Sequence, residues 1–278
     1  MTLADASAVR RSGDTTWEAE VQPGWDIAGN ANGGYLLAIA VWARAEATGR
    51  PDPVSVTAHY LSPATPGPVT IDAEVLRSGR RFATASAVLR RDAKPLLAVL
   101  GSSSDLGAGG AAELPERVRA SPPTLPPPSS CVAVEPTDTF PPPFMGKVEL
   151  RLHPEDAGFA GRDDARAARS GPARGASGKA VVRGWFRLPD GEPLDTIAVL
   201  LATDAFPPTI FNARLPVAWT PTLDLTAHVR ARPAPGWLRC SFRTRFVTGG
   251  FLDEDGEVWD DAGRLVGQSR QLALLPRG

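Results

Sequence analysis

The chain has 278 residues, of which 42% are hydrophobic and 22% charged, and its formal net charge is -1 at pH 7. This length and composition predict a soluble globular protein with either one large domain or two modest ones. The sequence has no excess of basic residues and no visible basic face, so we expect no nucleic-acid partner.

The first 17 residues contain Arg10 and Arg11 but no apolar core of the kind that a signal peptide needs. The longest apolar runs of the whole chain are far shorter than a membrane span. We therefore expect a cytoplasmic protein that does not insert into a membrane.

The N-terminal part of the chain predicts one helix and five strands. Asn32-Gly33-Gly34 opens an apolar helical run that closes near Gly49. A Pro/Gly turn at 62–68 and a turn at Asp92-Ala93-Lys94 separate strands that alternate in polarity. The predicted strands are 16–21, 54–61, 69–77, a further strand before Asp92, and 95–100.

Residues 107–143 are rich in glycine and proline, which predicts an extended connector. A second irregular stretch, 155–177, is rich in Gly, Ala and Arg, and we expect a mobile loop there. The predicted domain boundaries follow: an N-terminal unit at 1–107, a linker at 108–143 and a C-terminal unit at 144–278.

The C-terminal part repeats the same order of elements. A strand at 181–187 precedes a helix whose Leu194, Ile197, Ala198 and Leu201 share one face, and the pair Pro207-Pro208 is expected to end it. The strands at 222–229 and 237–247, a further strand, and a hairpin at Asp261-Ala262-Gly263 complete the unit.

The two parts also match in sequence when they are offset by 169 positions. Thr57-Ala58-His59 then coincides with Thr226-Ala227-His228, and Pro66-Gly67 coincides with Pro235-Gly236. Matches in one register predict a duplicated unit. Each unit has one apolar helix wrapped by a curled antiparallel sheet, so the predicted fold class is α+β with two units in tandem.

The sequence resembles the double-hotdog acyl-CoA thioesterases, in particular the actinobacterial thioesterase-like branch. The matching motifs are Asn32-Gly33-Gly34-Tyr35-Leu36, His59-Tyr60-Leu61-Ser62-Pro63, and Gly263-Arg264-Leu265-Val266 followed by Ser269-Arg270-Gln271. The resemblance covers residues from about 17 to 274, apart from the linker. It implies a hotdog fold, an acyl-CoA substrate and hydrolysis of the thioester.

The resemblance also implies three catalytic residues, Asp204, Thr222 and Gln271, which together hold the attacking water. The sequence supports Asp204 independently, because helical spacing from Ile197 and Leu201 places it on an apolar stripe. A carboxylate in such a place is costly unless it is paired or reactive, and its pKa should rise. The alternative is an aspartate that turns outward just before Pro207.

Two of these assignments leave alternatives open. Strict alternation places Thr222 opposite the apolar face of its strand, so Thr220 or Thr226 could replace it unless a bulge after Pro221 changes the register. Gln268 competes with Gln271. At the offset of 169, Thr222 and Gln271 coincide with Pro53 and Ser102, so we expect one active site per chain.

Substrate-binding residues are expected at Gly33, Gly34 and Tyr35, where the free amides of a helix N-terminus could bind a developing oxyanion. Cys131 and Cys240 form no metal-ligand pattern, and we expect no metal and no cofactor. The absence of a G-x-S-x-G motif argues against a serine hydrolase.

Three further points stay open in the sequence. A non-catalytic acyl-CoA or lipid-binding module is the alternative to an enzyme. An enoyl-CoA hydratase shares the architecture, but the chain lacks the Asp-x-Asn-Pro-x-His stretch of those enzymes. An exposed sheet face predicts a homo-oligomer, either a dimer or a tetramer.

Overall fold

The structure, a computed structural model, describes residues 1–107, 120–137, 142–159, 176–215 and 217–275. Within these residues it has three α-helices and sixteen β-strands. The helices are α1 (Leu3–Ala6), α2 (Gly33–Thr48) and α3 (Thr196–Ala202). The strands are β1 (Arg10–Arg11), β2 (Thr16–Val21), β3 (Asp26–Ile27), β4 (Asn30–Ala31), β5 (Asp52–Tyr60), β6 (Gly67–Ser78), β7 (Phe82–Arg91), β8 (Lys94–Ser104), β9 (Val132–Ala133), β10 (Glu149–Leu152), β11 (Val181–Arg187), β12 (Thr222–Val229), β13 (Leu238–Arg243), β14 (Val247–Thr248), β15 (Phe251–Trp259) and β16 (Leu265–Leu274).

Fourteen of the described strands form one antiparallel sheet that runs through both units. Its order is β1-β2-β6-β7-β8-β5-β12-β16-β15-β13-β11-β10-β9, with β14 beside β15, while β3 and β4 form a separate hairpin. Read outward from the β5–β12 pair, the order β5-β8-β7-β6-β2 repeats as β12-β16-β15-β13-β11. The predicted α+β architecture of two tandem units is therefore confirmed.

The two units are related by an approximate two-fold axis at the β5–β12 pair. Thr57 lies directly opposite Thr226, and their Oγ1 atoms are 3.1 Å apart. These two threonines are 169 positions apart, which is the offset that the repeat predicts. Equivalent residues therefore meet at the axis.

Helix α2 is enclosed by the sheet of the first unit. The Asn32 side chain caps its N-terminus by accepting a hydrogen bond from the Tyr35 amide, and Gly49 ends it in the left-handed region at φ 63°. Buried residues lie all around the helix, including Leu37, Ile39 and Ala40. An apolar surface on every side is what a fully enclosed helix requires.

Helix α3 ends earlier than the sequence predicts. It stops at Ala202 rather than at Pro207-Pro208, because the Asp204 amide bonds to the Leu201 carbonyl and tightens the last turn. The carbonyl of Asp204 accepts a hydrogen bond from the Asn32 side chain instead of from a following helical residue. Asp204 consequently lies in the turn after α3, not on the helix itself.

Two other predicted elements also differ. The strand predicted at 237–247 divides into β13 and β14, because Gly249 and Gly250 adopt positive φ and fold β14 back onto β15. The predicted linker contributes strand β9, which pairs with β10 at the sheet edge. Two residues are too few to show strand periodicity in a sequence. Most of the loop predicted at 155–177 lies outside the described residues.

A β-bulge occurs at the start of β12 and again at the start of β5. Thr222 lies opposite Ala273, whereas Asp224 lies opposite Leu272, so Leu223 is the extra residue. The corresponding shift in β5 occurs between Pro53 and Ser55. The bulge moves Thr222 onto the core face that Ala273 shares, which is the change of register that a functional Thr222 requires.

Candidate active site

Asp204 joins the two units by contacting the N-terminus of α2. Its Oδ2 accepts hydrogen bonds from the Gly34 amide at 2.7 Å and from Asn32 Nδ2 at 3.2 Å. The same Asn32 amide group donates to the Asp204 carbonyl at 3.0 Å. A negative charge at a helix N-terminus is favoured by the free amides and by the helix dipole. The helix of one unit thus holds the carboxylate of the other.

Gly33 and Gly34 allow this close approach. A Cβ atom on Gly33 would lie 2.8 Å from Asp204 Oδ2 and 2.9 Å from the ring of Tyr60. A Cβ atom on Gly34 would lie 3.1 Å from Asp204 Cβ and 3.2 Å from the Leu201 carbonyl oxygen. Because the Gly34 amide already binds Asp204, it is not a free oxyanion donor in this structure. The two glycines therefore leave room for the Asp204 carboxylate at the N-terminus of α2, and the Gly34 amide binds it.

The environment of Asp204 raises the pKa of its carboxyl group to about 7. Burial is the largest cause, and the negative charge of Glu254 acts in the same direction. The hydrogen bonds from Gly34, Asn32 and Gly33 oppose this rise by stabilising the ionised form. A carboxyl group with these properties changes its charge near neutral pH, as a general base at that pH requires.

Thr222 and Gln271 are brought together by neighbouring strands. Gln271 of β16 lies opposite Leu225 of β12 and therefore shares the core face. The bulge brings Thr222 to the same face, and its Oγ1 donates a hydrogen bond to Gln271 Oε1 at 3.1 Å. The proposed alternatives lie elsewhere: Thr220 bonds to the Ala218 carbonyl, Thr226 to Thr57, and Gln268 to Arg230.

Glu254 is a site residue that the sequence analysis missed. It lies opposite Gln271 on β15, is 4% exposed, and accepts hydrogen bonds from Gln271 Nε2 and from the Thr209 amide, both at 2.9 Å. Burial is the main cause that raises the pKa of Glu254. Strand alternation could have indicated it, because Leu252, Gly256 and Val258 place Glu254 on the buried face.

Tyr35 does not belong to this arrangement. Its ring is fully buried and stacks on Trp25 with centroids 4.8 Å apart. Its hydroxyl donates to the Ala6 carbonyl at 2.7 Å and accepts from the Gln22 amide at 3.0 Å. A side chain satisfied in this way packs the core, so the prediction that Tyr35 contacts substrate is wrong in this structure.

Comparison with known families gives two matches that together cover most of the chain. Residues 21–104 match the model of the acyl-CoA thioesterase N-terminal domain, and residues 127–275 match that of the acyl-CoA thioesterase C-terminal domain. The chain belongs to the acyl-CoA thioesterase family. Uncharacterised relatives in Mycobacterium tuberculosis and Mycobacterium bovis are 30% identical over 275 residues, which cover 94% of this chain and 91% of each relative.

Solved structures show that the chain has the hotdog fold. A candidate thioesterase II from Thermobifida fusca superposes with a TM-score of 0.84 and 30% identity, covering 100% of this chain and 98% of that one. A hotdog protein of unknown function from Alicyclobacillus acidocaldarius gives a TM-score of 0.82 at 21% identity over 99% and 98% of the two chains. The predicted double hotdog is confirmed.

The first unit does not repeat the arrangement of Thr222, Gln271 and Glu254. Gln271 pairs with Leu225, and the equivalent of Leu225 is Val56, whose partner is Gly101. The structural counterpart of Gln271 is therefore Gly101, not Ser102. In the second unit Glu254 lies opposite Gln271, and in the first unit Ala85 lies opposite Gly101. The counterpart of Glu254 in the first unit is therefore Ala85.

The space left by Gly101 and Ala85 is filled by Arg44 of α2. Arg44 is completely buried, and its Nε donates to the Ala85 carbonyl at 3.1 Å. Among the described residues, its Nη1 and Nη2 atoms have no hydrogen-bond partner. In the first unit, an arginine thus occupies the place where the second unit has its glutamate and glutamine.

Tyr60 supplies a further polar group beside Asp204. Its hydroxyl is buried and has no hydrogen-bond partner in the part of the chain that the structure describes. Burial raises the pKa of Tyr60 well above its usual value, and the charge of Asp204 adds to this effect. The hydroxyl therefore stays protonated and can donate.

The remaining sequence predictions for the residues that the structure describes concern metal sites, membrane-spanning helices and the two cysteines. Those residues contain no group of three or more His, Cys, Asp or Glu side chains placed to hold a metal ion. None of their helices is long and apolar enough to cross a membrane. Cys131 and Cys240 are both buried and unpaired by a disulfide.

Proposed function

We propose that this member of the acyl-CoA thioesterase family hydrolyses an acyl-CoA to the free acid and CoA, with Asp204 as the general base. The observation that carries the proposal is the partly buried carboxyl group of Asp204, held at the N-terminus of α2 with a pKa of about 7. A base of this kind is ionised in a large fraction of molecules at neutral pH and still accepts a proton readily.

In the proposed reaction, Asp204 removes a proton from a water molecule while the water oxygen adds to the thioester carbonyl carbon. Thr222 and Gln271 orient that water, since both present polar atoms on the core face. The tetrahedral intermediate then expels the CoA thiolate as the carbon–sulfur bond breaks. The proton held by Asp204 passes to the thiolate, which leaves the free acid and CoA.

The negative oxygen of the intermediate needs a hydrogen-bond donor. In the sequence analysis this role falls to Gly33 and Gly34, but the Gly34 amide binds Asp204. We assign the role to the hydroxyl of Tyr60, because it is an unpaired donor in the electrostatic environment of Asp204. The α2 amides would then keep Asp204 oriented and able to ionise.

A thiol-release assay over acyl-CoAs of graded chain length tests this function. We expect the wild type to release CoA from at least one of them, and we expect Asp204→Asn to lose activity by a factor on the order of 100 or more. Asp72→Asn is a matched control, because Asp72 lies exposed on β6 and pairs only with surface groups.

Three outcomes of this assay would contradict the proposal. Asp204→Asn with wild-type turnover would reject Asp204 as the base. Tight acyl-CoA binding without thiol release would identify the non-catalytic binding module. Hydration of crotonyl-CoA without thiol release would identify the hydratase.

We further propose that the protein acts as a homo-oligomer in the cytoplasm. The outward residues of the adjacent strands β7 and β8 support self-association, because they carry no charge over most of their length. Among them, Leu100 is 50% exposed and Phe82 is 43% exposed. An uncharged sheet face with exposed large side chains is typical of a surface that a second copy covers.

A further inference from the structure

Glu254 differs from its acidic neighbours on β15 in its partners. The neighbouring acidic residues Asp253 and Asp255 pair with Arg270, and Asp255 also pairs with Arg245. Glu254 instead points into the core, and no ion pair joins it to a cation among the described residues. A buried carboxyl group without a cation is costly, so its hydrogen bonds must have another use.

The hydrogen bonds of Glu254 determine the orientation of the Gln271 side chain. An ionised carboxylate only accepts hydrogen bonds, so Gln271 must turn its Nε2 toward Glu254. Its Oε1 then faces Thr222, which must donate. With its proton committed to Gln271, the Thr222 oxygen is left to accept a hydrogen bond from water.

We infer that Glu254 is a positioning residue, which fixes the donor and acceptor directions of the chain Glu254–Gln271–Thr222 and thereby orients the attacking water. This inference rests on the proposed function. It explains why the position opposite Gln271 is a glutamate in the second unit, whereas the equivalent position of the first unit is Ala85.

A second consequence concerns the charge around Asp204. The charged or titratable groups that influence Asp204 are Glu254 from β15 and Tyr60 from β5, while α2 contributes neutral donors from Asn32, Gly33 and Gly34. Glu254 in turn lies near Asp253 of its own strand, and its hydrogen-bond partners in the described part of the chain are the neutral groups of Gln271 and Thr209. Removing the charge of Glu254 should therefore lower the pKa of Asp204.

The alternative is a purely structural role. Glu254 binds the amide of Thr209 and so attaches the 3₁₀ turn Thr209–Asn212 to the sheet. A structural role predicts that a substitution lowers stability and reduces activity in proportion to the folded fraction. It predicts no change in the pH dependence of the folded enzyme.

The test is Glu254→Gln, which keeps the size of the side chain and removes its charge. We expect kcat to fall on the order of ten-fold or more with KM changed by less than about two-fold, because water orientation acts on the transition state. We also expect the acid limb of the kcat/KM profile to move to lower pH. Glu254→Asp, which retains the charge, should leave that limb near its wild-type position.

Glu257→Gln is the matched control, because it makes the same change on the same strand at a position paired with Gln268 and bonded to Trp259. It should behave as the wild type. An active wild type together with an unchanged kcat and acid limb in Glu254→Gln would overturn this inference alone. A wild type that releases no thiol from any acyl-CoA would overturn the proposed function itself.

Discussion

Asp204 combines a functional advantage with a cost in stability. Its carboxyl group has an ordinary pKa of 3.8 and a folded-state pKa of about 7. Between these two values the folded chain keeps a proton that the unfolded chain has lost, so stability falls as pH rises through this window. Above about pH 7 the full cost of the buried charge is present, and this is also where the base is ionised.

Asp204→Asn should therefore be more stable than the wild type while it is inactive. Asparagine has a similar shape, still accepts from Gly34 and carries no charge. We expect a gain of roughly 1–3 kcal/mol at pH 8 that fades as pH falls toward 4. Urea unfolding at both pH values measures it, and a variant less stable than the wild type at pH 8 would contradict it.

At the residue scale, part of the proposed site was predictable from the sequence. Asp204 followed from its position near Ile197 and Leu201, and the structure brings Thr222 beside Gln271 because a bulge at Leu223 changes the register. Glu254 was missed because its strand, with acidic residues at 253, 254, 255 and 257, looks like a solvated one. The alternation of Leu252, Gly256 and Val258 is hidden by this acidic run, and the pairing of β15 with β16 shows that Glu254 faces Gln271 while Asp253 and Asp255 pair with Arg270.

At the scale of elements, α2 carries different tasks at its two ends. Its N-terminus holds Asp204, whereas its C-terminal half buries Arg44 in the space next to Ala85 and Gly101. Burial lowers the pKa of Arg44 to about 10. Two nitrogen atoms of this guanidinium have no partner among the described residues. A buried cation of this kind costs stability.

Arg44→Met should stabilise the protein. Methionine is unbranched, fills an irregular space and removes the buried charge. We expect about 1–3 kcal/mol of added stability with unchanged thiol release, because Arg44 lies at the counterpart of the active site. Thermal and urea unfolding measure the change. A loss of stability would contradict this prediction, because it would mean that the guanidinium group makes interactions that stabilise the fold by more than the buried charge costs.

The order of the elements and the ends of α2 were predictable from the sequence, but the end of α3 was not. Asn32 and Gly49 are strong cap residues, and α2 begins and ends beside them. Helix α3 ends at Ala202 because the Asn32 side chain, from the other unit, takes the carbonyl of Asp204. The sequence of the second unit alone could not predict this end, because the contact comes from Asn32 of the first unit.

At the scale of the whole molecule, the proposed active site depends on the fusion of the two units. The second unit provides Asp204, Thr222, Gln271 and Glu254, and the first provides the Asn32 and Gly34 groups that hold Asp204. The approximate two-fold axis at Thr57 and Thr226 would generate a second site, but Gly101, Ala85 and Pro53 lack the required groups. The proposed site therefore occurs once per chain.

The uncharged outer face of β7 and β8 predicts how copies associate. Leu100→Glu places a charge at the centre of that face, where a covering partner would have to desolvate it. We expect wild-type protein to run as a dimer or tetramer in light scattering coupled to gel filtration, and the variant to shift toward monomer. An unchanged oligomer would exclude this face as the interface.

The most direct test of the account is the dependence of kcat/KM for acyl-CoA hydrolysis on pH. If the partly buried carboxyl group of Asp204 is the base, the value should rise ten-fold per pH unit below about pH 7 and level off above it. A profile that stays flat from pH 5 to pH 8, with full activity where Asp204 is protonated, would contradict it.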